Sequence, residues 1–418
     1  MNNGLSSQPI RTTGRYLVLL PEGDGSSGGM AALRNSTGAS EIDDSVVSNL
    51  GVAVVDLDPD QLWSLTAAVA GTQPILAAEP EQIMYAIGGP VVSSDTASYL
   101  QGYKDGVTSL VDNFGNGQVT PEQKITTSNF SDTTTATWGL DATNVLGSSF
   151  SGQGIKVAVL DTGLDLNHPD FAGRSITSES FIPGETVQDP NGHGTHCIGT
   201  ACGSLNPPDP ANPRRYGVAY NAEIFAGKVL SNSGSGSDGG ILNGINWAIS
   251  NGCQIISMSL GAATRPGDRF SNVYETVAQR ALERGTLIIA AAGNESGRPN
   301  FVRPVGRPAN CPSIIAVAAL DRTLQMATFS NSSINPDGGG IDIAGPGVDV
   351  YSTWPMPARY QTISGTSMAT PHVAGIAALY AEATGKRGLE LWALLMRDPQ
   401  RLALLSTDIG IGLAQAPA

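Results

Sequence analysis

The chain has 418 residues, of which 40% are hydrophobic, and it carries a formal net charge of −14. This length favours two domains, and the acidic surplus argues against nucleic acid or an anionic membrane as a partner, since both need clustered Lys and Arg. No segment approaches the roughly 20 consecutive apolar residues that cross a bilayer, so we expect no membrane partner.

The N-terminus lacks the charged-then-apolar layout of a secretory signal. This predicts a cytoplasmic protein if Met1 is the true start, and a secreted one otherwise. The four cysteines are too few for a disulfide scaffold, and we expect four free thiols. Cys197 and Cys202 lie five apart on a predicted helix and should not pair, whereas pairing of Cys253 with Cys311 stays open.

Residues 1–87 are predicted to form a small α+β domain. Valine-rich and leucine-rich stretches favour strands, and apolar residues at helical spacing after Asp58, a candidate N-cap, favour a helix. The predicted elements are a strand at 15–20, a helix at 29–34, a strand at 51–57, a helix at 60–70 and a strand at 75–78.

Residues 88–136 are rich in Asp, Ser, Thr, Gly and Asn, with a helical hint at 97–111, and are predicted to form a linker. From residue 137 to 418 the pattern is α/β. Nearly continuous apolar strands alternate with helices, which predicts a mostly parallel sheet covered on both faces. The predicted strands are 156–160, 255–260, 286–291 and 314–320, and a helix is predicted at 241–249.

Three segments carry residues suited to nucleophilic catalysis: Val157-Ala-Val-Leu-Asp161-Thr-Gly163, Asn191-Gly-His193-Gly-Thr-His, and Gly365-Thr-Ser367-Met-Ala-Thr-Pro. A serine hydroxyl attacks an amide only when a base removes its proton, and an imidazole has a suitable pKa. A carboxylate then holds the imidazole in the right tautomer. Asp161 ends a predicted parallel strand, and Ser367 opens an apolar helix predicted at 367–380, where the positive helix end favours developing negative charge.

These segments, in the order Asp, His, Ser, resemble the three motifs of the subtilase family, and the resemblance covers residues 138–418. It implies a subtilisin-like fold and a serine endopeptidase with Asp161, His193 and Ser367 as its catalytic triad. His196 competes with His193 for the role of base, but the family position is that of His193. The resemblance gives His196 a structural place, and we expect the same of His372.

The resemblance also implies an oxyanion hole and a substrate groove. Asn294 matches the asparagine whose amide, with the Ser367 backbone N–H, stabilises the oxyanion. A substrate would lie as an added β-strand between two edges of the groove. Its residue before the scissile bond would enter a first specificity pocket, whose glycine floor admits bulky side chains. Glu295 at the rim of this pocket would favour basic side chains as well. The matching groove and pocket residues are Gly234, Ser235, Gly236, Ser259, Leu260, Gly261, Ala291, Gly293 and Gly306.

No cofactor is expected for catalysis, but a structural calcium ion is implied. Asp170, in Asn-His-Pro-Asp, matches a calcium ligand of the family, although the partner loop at 203–216 is longer and richer in proline than usual. Cys197 matches a buried free thiol behind the catalytic histidine, which predicts inhibition by mercurials. Pro308 matches a proline that follows a cis peptide bond.

The N-terminal domain resembles a subtilase propeptide in element order and location. The resemblance implies a self-processing zymogen, whose inhibitory propeptide places its tail near 79–87 in the groove. We therefore expect a monomer that acts on proteins or peptides and is inhibited by its own propeptide. Two alternatives stay open: an enzyme that transfers the acyl group to an amine, as in peptide ligation, and a catalytically inactive binding protein.

Overall fold

The structure is a computed structural model that describes residues 11–22, 24–38, 42–43, 50–70, 74–87, 129–209, 211 and 213–418. Below, residues 11–87 are called the N-terminal unit and residues 129–418 the second unit. Within these ranges, no helix is both long enough and apolar enough to cross a bilayer. The predicted helix at 97–111 and most of the predicted linker lie outside the described residues.

The N-terminal unit is an antiparallel sheet covered by two helices. Asp58 caps the second helix as predicted, because its carboxylate accepts the N–H groups of Asp60 and Gln61 at 3.0 and 2.9 Å. The strand order is β2-β3-β1-β4. The elements are β1 (Thr12–Leu19), α1 (Asp24–Thr37), β2 (Ile42–Asp43), β3 (Val52–Asp56), α2 (Pro59–Ala70) and β4 (Ala77–Ala86).

Alternate residues of β1 enter two different cores. Val18, and Leu20 directly after the strand, pack with Leu33 and Leu65 of the unit's own helices, whereas Leu17 and Leu19 join the core of the second unit. Successive side chains of a strand point to opposite faces, so this sheet is covered on both sides. The N-terminal unit therefore docks on the second unit through a whole sheet face.

The second unit is built on a seven-stranded parallel sheet in the order β13-β12-β11-β9-β5-β7-β6. Its central strands are apolar and buried on both faces, which confirms the predicted doubly covered α/β fold. The sheet strands are β5 (Lys156–Asp161), β6 (Ile176–Ser180), β7 (Glu223–Lys228), β9 (Ile255–Met258), β11 (Leu287–Ala291), β12 (Ile315–Leu320) and β13 (Ile343–Pro346).

Helices cover both faces of this sheet. Ser237 and Ser271 cap two of them by accepting backbone N–H groups. In the long apolar helix, Pro371 is the sixth residue, and the carbonyl of Ser367, which its missing N–H would otherwise bond, accepts the Ser259 hydroxyl at 2.8 Å instead. The helices are α3 (Trp138–Ala142), α4 (His193–Cys202), α5 (Asp238–Ser250), α6 (Asn272–Glu283), α7 (Thr366–Thr384), α8 (Gly388–Leu395) and α9 (Ser406–Ile409).

Four short strands lie outside the parallel sheet. They are β8 (Ser235–Ser237), β10 (Leu260–Gly261), β14 (Val350–Thr353) and β15 (Tyr360–Ile363). β14 pairs with β15, while β8 and β10 both pair with β4 of the N-terminal unit. The strand predicted at 75–78 therefore begins at Ala77 and continues to Ala86, because its second half pairs with the other unit.

The described end of the predicted linker, residues 129–136, packs on the rest of the second unit. The Phe130 N–H donates to the carbonyl of Arg322 at 2.9 Å, and Asp132 accepts the N–H of Trp138 at the same distance. The domain boundaries at 87/88 and 136/137 stay predictions. All four cysteines are buried and free.

Candidate functional site

Asp161 and His193 form a buried pair at the carboxyl end of the parallel sheet. β5 ends at Asp161, and α4 begins at His193. The His193 Nδ1 atom lies 2.7 Å from Asp161 Oδ1. Burial opposes a charged imidazole, but the carboxylate of Asp161 raises the pKa of His193 well above its ordinary value. The pair is therefore arranged to accept and hold a proton.

Ser367 lies in the first turn of α7, fully buried. Its hydroxyl donates to the carbonyl oxygen of Ile87, the residue that follows β4 of the N-terminal unit. The same hydroxyl lies 3.1 Å from the carbonyl oxygen of Ser259. The serine is thus in contact with a peptide carbonyl of the chain itself.

His193 Nε2 has no hydrogen-bond partner among the described residues. The bond from the Ser367 hydroxyl to the imidazole is therefore not formed while the Ile87 carbonyl is in place. Cys197 contacts both residues, because its Sγ lies 3.9 Å from His193 Nδ1 and 3.6 Å from the main-chain oxygen of Ser367.

Two further histidines are buried away from Asp161. His196 Nε2 lies 3.0 Å from the carbonyl oxygen of Val350, and burial lowers the pKa of His196 to about 3. His372 Nδ1 lies 2.8 Å from the carbonyl oxygen of Met368, and burial lowers the pKa of His372 to about 4. Both imidazoles are neutral and held by main-chain carbonyls, in agreement with the structural place predicted for them.

Asn294 contacts the same carbonyl as Ser367. Its Nδ2 donates to the carbonyl oxygen of Ile87 at 3.0 Å. Its Oδ1 accepts both the backbone N–H and the hydroxyl of Thr366 at 2.9 Å, so the amide cannot flip. The Ser367 backbone N–H, predicted as the second donor, makes no hydrogen bond to Ile87 within the described part of the chain.

The tail of the N-terminal unit (residues 82–87) lies between the two predicted groove edges. On one side residues 83–85 pair antiparallel with β8, and the Ala86 N–H donates to the carbonyl of Gly234 at 2.9 Å. On the other side Ala86 and Tyr85 pair with Leu260 and Gly261 of β10. The tail forms the middle strand of a three-stranded arrangement.

The side chain of Ile87 is buried beside glycine. A Cβ added to Gly261 would lie 2.9 Å from Ile87 Cδ1, so only glycine leaves room there. The other predicted pocket residues lie together: Gly306 donates its N–H to the carbonyl of Ala292, between Ala291 and Gly293, at 2.8 Å. The carboxylate of Glu295 lies against Gly293, 2.5 Å from the position of an added Cβ.

Two carboxylates of β4 bind helix N-termini of the second unit. Glu79 accepts the Ser271 hydroxyl and the Asn272 N–H, each at 2.6 Å, at the start of α6. Glu81, fully buried, accepts the Gly239 N–H at 2.9 Å at the start of α5. Negative charge is favourable at both places because helix N-termini expose unpaired N–H groups.

The surroundings of Asp170 do not fit the predicted calcium ion. Oδ2 of this buried carboxylate accepts a hydrogen bond from the Tyr216 hydroxyl at 2.5 Å. The Tyr360 hydroxyl lies 3.0 Å from Oδ1 and 3.1 Å from Oδ2. Calcium needs six to eight oxygen ligands with their lone pairs free. Here both carboxylate oxygens already receive hydroxyl hydrogens, so the described residues satisfy Asp170 without a cation.

Two residues that support the site were not predicted. Asp189, fully buried, accepts the N–H groups of Asn191, Gly192 and Thr195 at 2.9–3.1 Å, at the start of the helix that carries His193. Lys228, also fully buried, donates to the carbonyl of Thr162 at 2.5 Å, directly after the strand end that carries Asp161. An aspartate shortly before a helix start is a recognisable capping signal, whereas nothing local marks Lys228.

Comparison with known proteins decides the family. A model of the subtilase family matches residues 152–400. The chain belongs to the subtilase family. The family predicted from the three motifs is thus confirmed, and the match contains His193, Asn294 and Ser367 together with Asp161.

Individual subtilases are similar over the same region. Subtilisin E of Bacillus subtilis (strain 168) is 44% identical over 232 residues, which are 55% of this chain and 56% of that protein. Subtilisin of Bacillus pumilus is 43% identical over 55% of this chain and 78% of its own. Subtilisin DY of Bacillus licheniformis is 39% identical over 57% of this chain and 81% of its own. The part of this chain that is similar to Subtilisin E thus covers little more than half of that protein's length.

Proposed function

We propose that this subtilase is a serine endopeptidase that forms an acyl-enzyme on Ser367. In the proposed mechanism His193 takes the proton of the hydroxyl and later gives it to the leaving amine. Asp161 orients the imidazole and stabilises its charged form. Asn294 donates to the oxyanion, as it already donates to the carbonyl of Ile87 at 3.0 Å.

The observation that carries this proposal is the position of the Ile87 carbonyl. Its oxygen receives hydrogen bonds from both the Ser367 hydroxyl and the Asn294 amide, and the preceding residues pair with both groove edges. The carbonyl group thus lies beside the serine and the oxyanion donor, and attack on its carbon then requires the hydroxyl to turn its hydrogen to His193 Nε2. We infer that the chain is a zymogen that cuts itself between Ile87 and Gly88.

After cleavage the N-terminal unit would stay bound as an inhibitor. Its contacts do not depend on the bond that breaks: Glu79 and Glu81 bind the two helix N-termini, and Arg280 of α6 donates to the carbonyl of Leu50 at 2.6 Å. A preorganised tail loses little entropy on binding and therefore competes well with substrate.

The tail also indicates specificity. The residue before the scissile bond, P1, is the buried Ile87, and Gly261 leaves its side chain room. We infer broad acceptance of bulky apolar P1 residues. The Glu295 carboxylate against the pocket wall supports acceptance of basic residues as well.

The test compares intact masses and N-terminal sequences of purified wild type, Ser367→Ala and the control Ser364→Ala. We expect wild type and the control to yield a chain that begins at Gly88, and Ser367→Ala to remain whole. Equal masses for all three would refute self-processing. Labelling by a fluorophosphonate, followed by casein hydrolysis, separates the alternatives: a label without hydrolysis would indicate acyl transfer to amines, and no label after removal of the N-terminal unit an inactive binding protein.

A further inference from the structure

The carboxylate of Asp238 lies at the far end of the groove and contacts the tail. Asp238 is the first residue of α5, directly after β8, and it is fully buried. Its Oδ2 accepts the backbone N–H of Gln82 at 2.8 Å. Counting Ile87 as P1, Gln82 occupies P6.

Asp238 extends the groove edge formed by β8 by one further hydrogen-bond acceptor, at the point where the strand ends. β8 pairs with the tail through the register Ile83↔Ser237, and the next residue along each strand is Gln82 opposite Asp238. At that point the chain turns into α5, whose N-cap is Ser237. A side-chain oxygen thus takes the place that a backbone carbonyl would hold in a longer strand.

Besides the tail, two residues of the second unit hold the carboxylate, and one of them, Arg307, also lies 3.5 Å from Glu79 of the N-terminal unit. The Tyr274 hydroxyl donates to Asp238 Oδ1 at 3.0 Å, and Arg307 Nη2 donates to Oδ2 at 3.1 Å. Arg307 in turn lies over the ring of Tyr274, 5.4 Å from its centroid. Because Tyr274 and Arg307 both belong to the second unit, the carboxylate keeps these two partners when another peptide replaces the tail.

We propose that Asp238 is a specificity-determining residue that binds the main-chain N–H of the substrate residue at P6. The inference rests on the proposed endopeptidase function and extends it: the groove would recognise at least six residues before the scissile bond and disfavour proline at P6, since proline has no N–H. An ionised acceptor makes a stronger hydrogen bond than a neutral carbonyl. Removing the N–H should lower kcat/KM about tenfold, near the lower end for bonds to charged groups.

The experiment is a double-mutant cycle between enzyme and peptide. The full chain is purified as wild type, Asp238→Ala and Asp238→Asn, the last of which keeps an oxygen acceptor, and after self-cleavage each is freed of its N-terminal unit, as checked by mass. The parent peptide carries the sequence of residues 80–87 followed by Gly-Gly, with a fluorophore and a quencher at its ends. In the second peptide an ester replaces the amide that contributes the P6 N–H. Each kcat/KM is divided by that for a peptide truncated to four residues before the scissile bond.

We expect the ester to reduce the normalised kcat/KM of wild type about tenfold and that of Asp238→Asn about threefold. In Asp238→Ala the amide and ester peptides should be cleaved equally fast. If wild type cleaves both peptides equally, or if Asp238→Ala shows the same loss as wild type, the assignment of Asp238 is wrong. Should Asp238→Ala not fold, an Asp238→Asn loss equal to that of wild type would overturn it. Failure of wild type that has been freed of its N-terminal unit to cleave any of the peptides would instead refute the proposed endopeptidase function.

Discussion

Replacing Asp189 by alanine should both destabilise the second unit and slow the proposed catalysis. The carboxylate accepts the N–H groups of Asn191, Gly192 and Thr195 and the hydroxyl of Thr195, all at 2.8–3.1 Å. Alanine would leave these donors without an acceptor, and because Asp189 is fully buried, we expect no water to replace its carboxylate. His193 immediately follows two of them, so its backbone position depends on this carboxylate.

The magnitude follows from the number of donors. At roughly 1 kcal/mol or somewhat more for each of the three N–H groups, the free energy of unfolding should fall by about 3–4 kcal/mol. For a domain of this size, about 2–4 °C per kcal/mol gives a Tm lower by about 10 °C. A displacement of His193 by a fraction of an ångström should lower kcat at least tenfold, with a smaller effect on KM.

The assay measures thermal unfolding in the Ser367→Ala background, where self-digestion cannot intervene, and kcat in the active background. Asp141→Ala removes the same carboxylate at an exposed position and is the matched control. We expect Asp141→Ala to change Tm by no more than about 1–2 °C. If Asp189→Ala unfolds within 2 °C of wild type and keeps its kcat, the support ascribed to Asp189 does not exist.

Three further predictions concern titration and metal. Activity needs neutral His193, whose pKa is raised, so kcat/KM should rise with pH through a midpoint above the ordinary 6.5; a midpoint below 6 would contradict the pairing with Asp161. Burial raises the pKa of Asp342 from 3.8 to about 7, so its ionisation costs stability as pH rises through that window. Asp342→Asn should therefore add about 2–4 kcal/mol of stability at pH 8 and almost none at pH 4. Thermal melting at both pH values checks this, and an equal gain in Tm at pH 4 and pH 8 would refute it. Adding calcium should shift Tm equally in wild type and Asp170→Asn; a shift confined to wild type would restore Asp170 as a calcium ligand.

The sequence predicted best what depends on local chemistry. Strands such as β5 and β12 were found within one residue, because continuous apolar stretches bounded by turns allow few alternatives. The helix predicted at 367–380 is α7, four residues longer at its C-terminal end, where Gly385 in a left-handed conformation terminates it. The three motifs that contain Asp161, His193 and Ser367 placed the chain in the subtilase family, and the comparison with the family model confirmed this.

What was missed depends on contacts between distant parts of the chain. β4 continues past residue 78 through polar residues such as Glu79 and Glu81, whose partners are helices of the second unit. No local pattern marks such a strand as buried. Asp170 looked like a calcium ligand because its hydroxyl donors, Tyr216 and Tyr360, lie 46 and 190 residues away.

The tail fills its groove by main-chain pairing on both sides, through β8 and β10. Any polypeptide that takes its place must be fully extended over several residues, at about 3.3 Å per residue instead of the 1.5 Å of a helix. A compact protein offers such a stretch only where a loop is long enough or where part of the structure opens. The rate at which folded proteins are cut would therefore report how often they open locally, more than which side chains they carry.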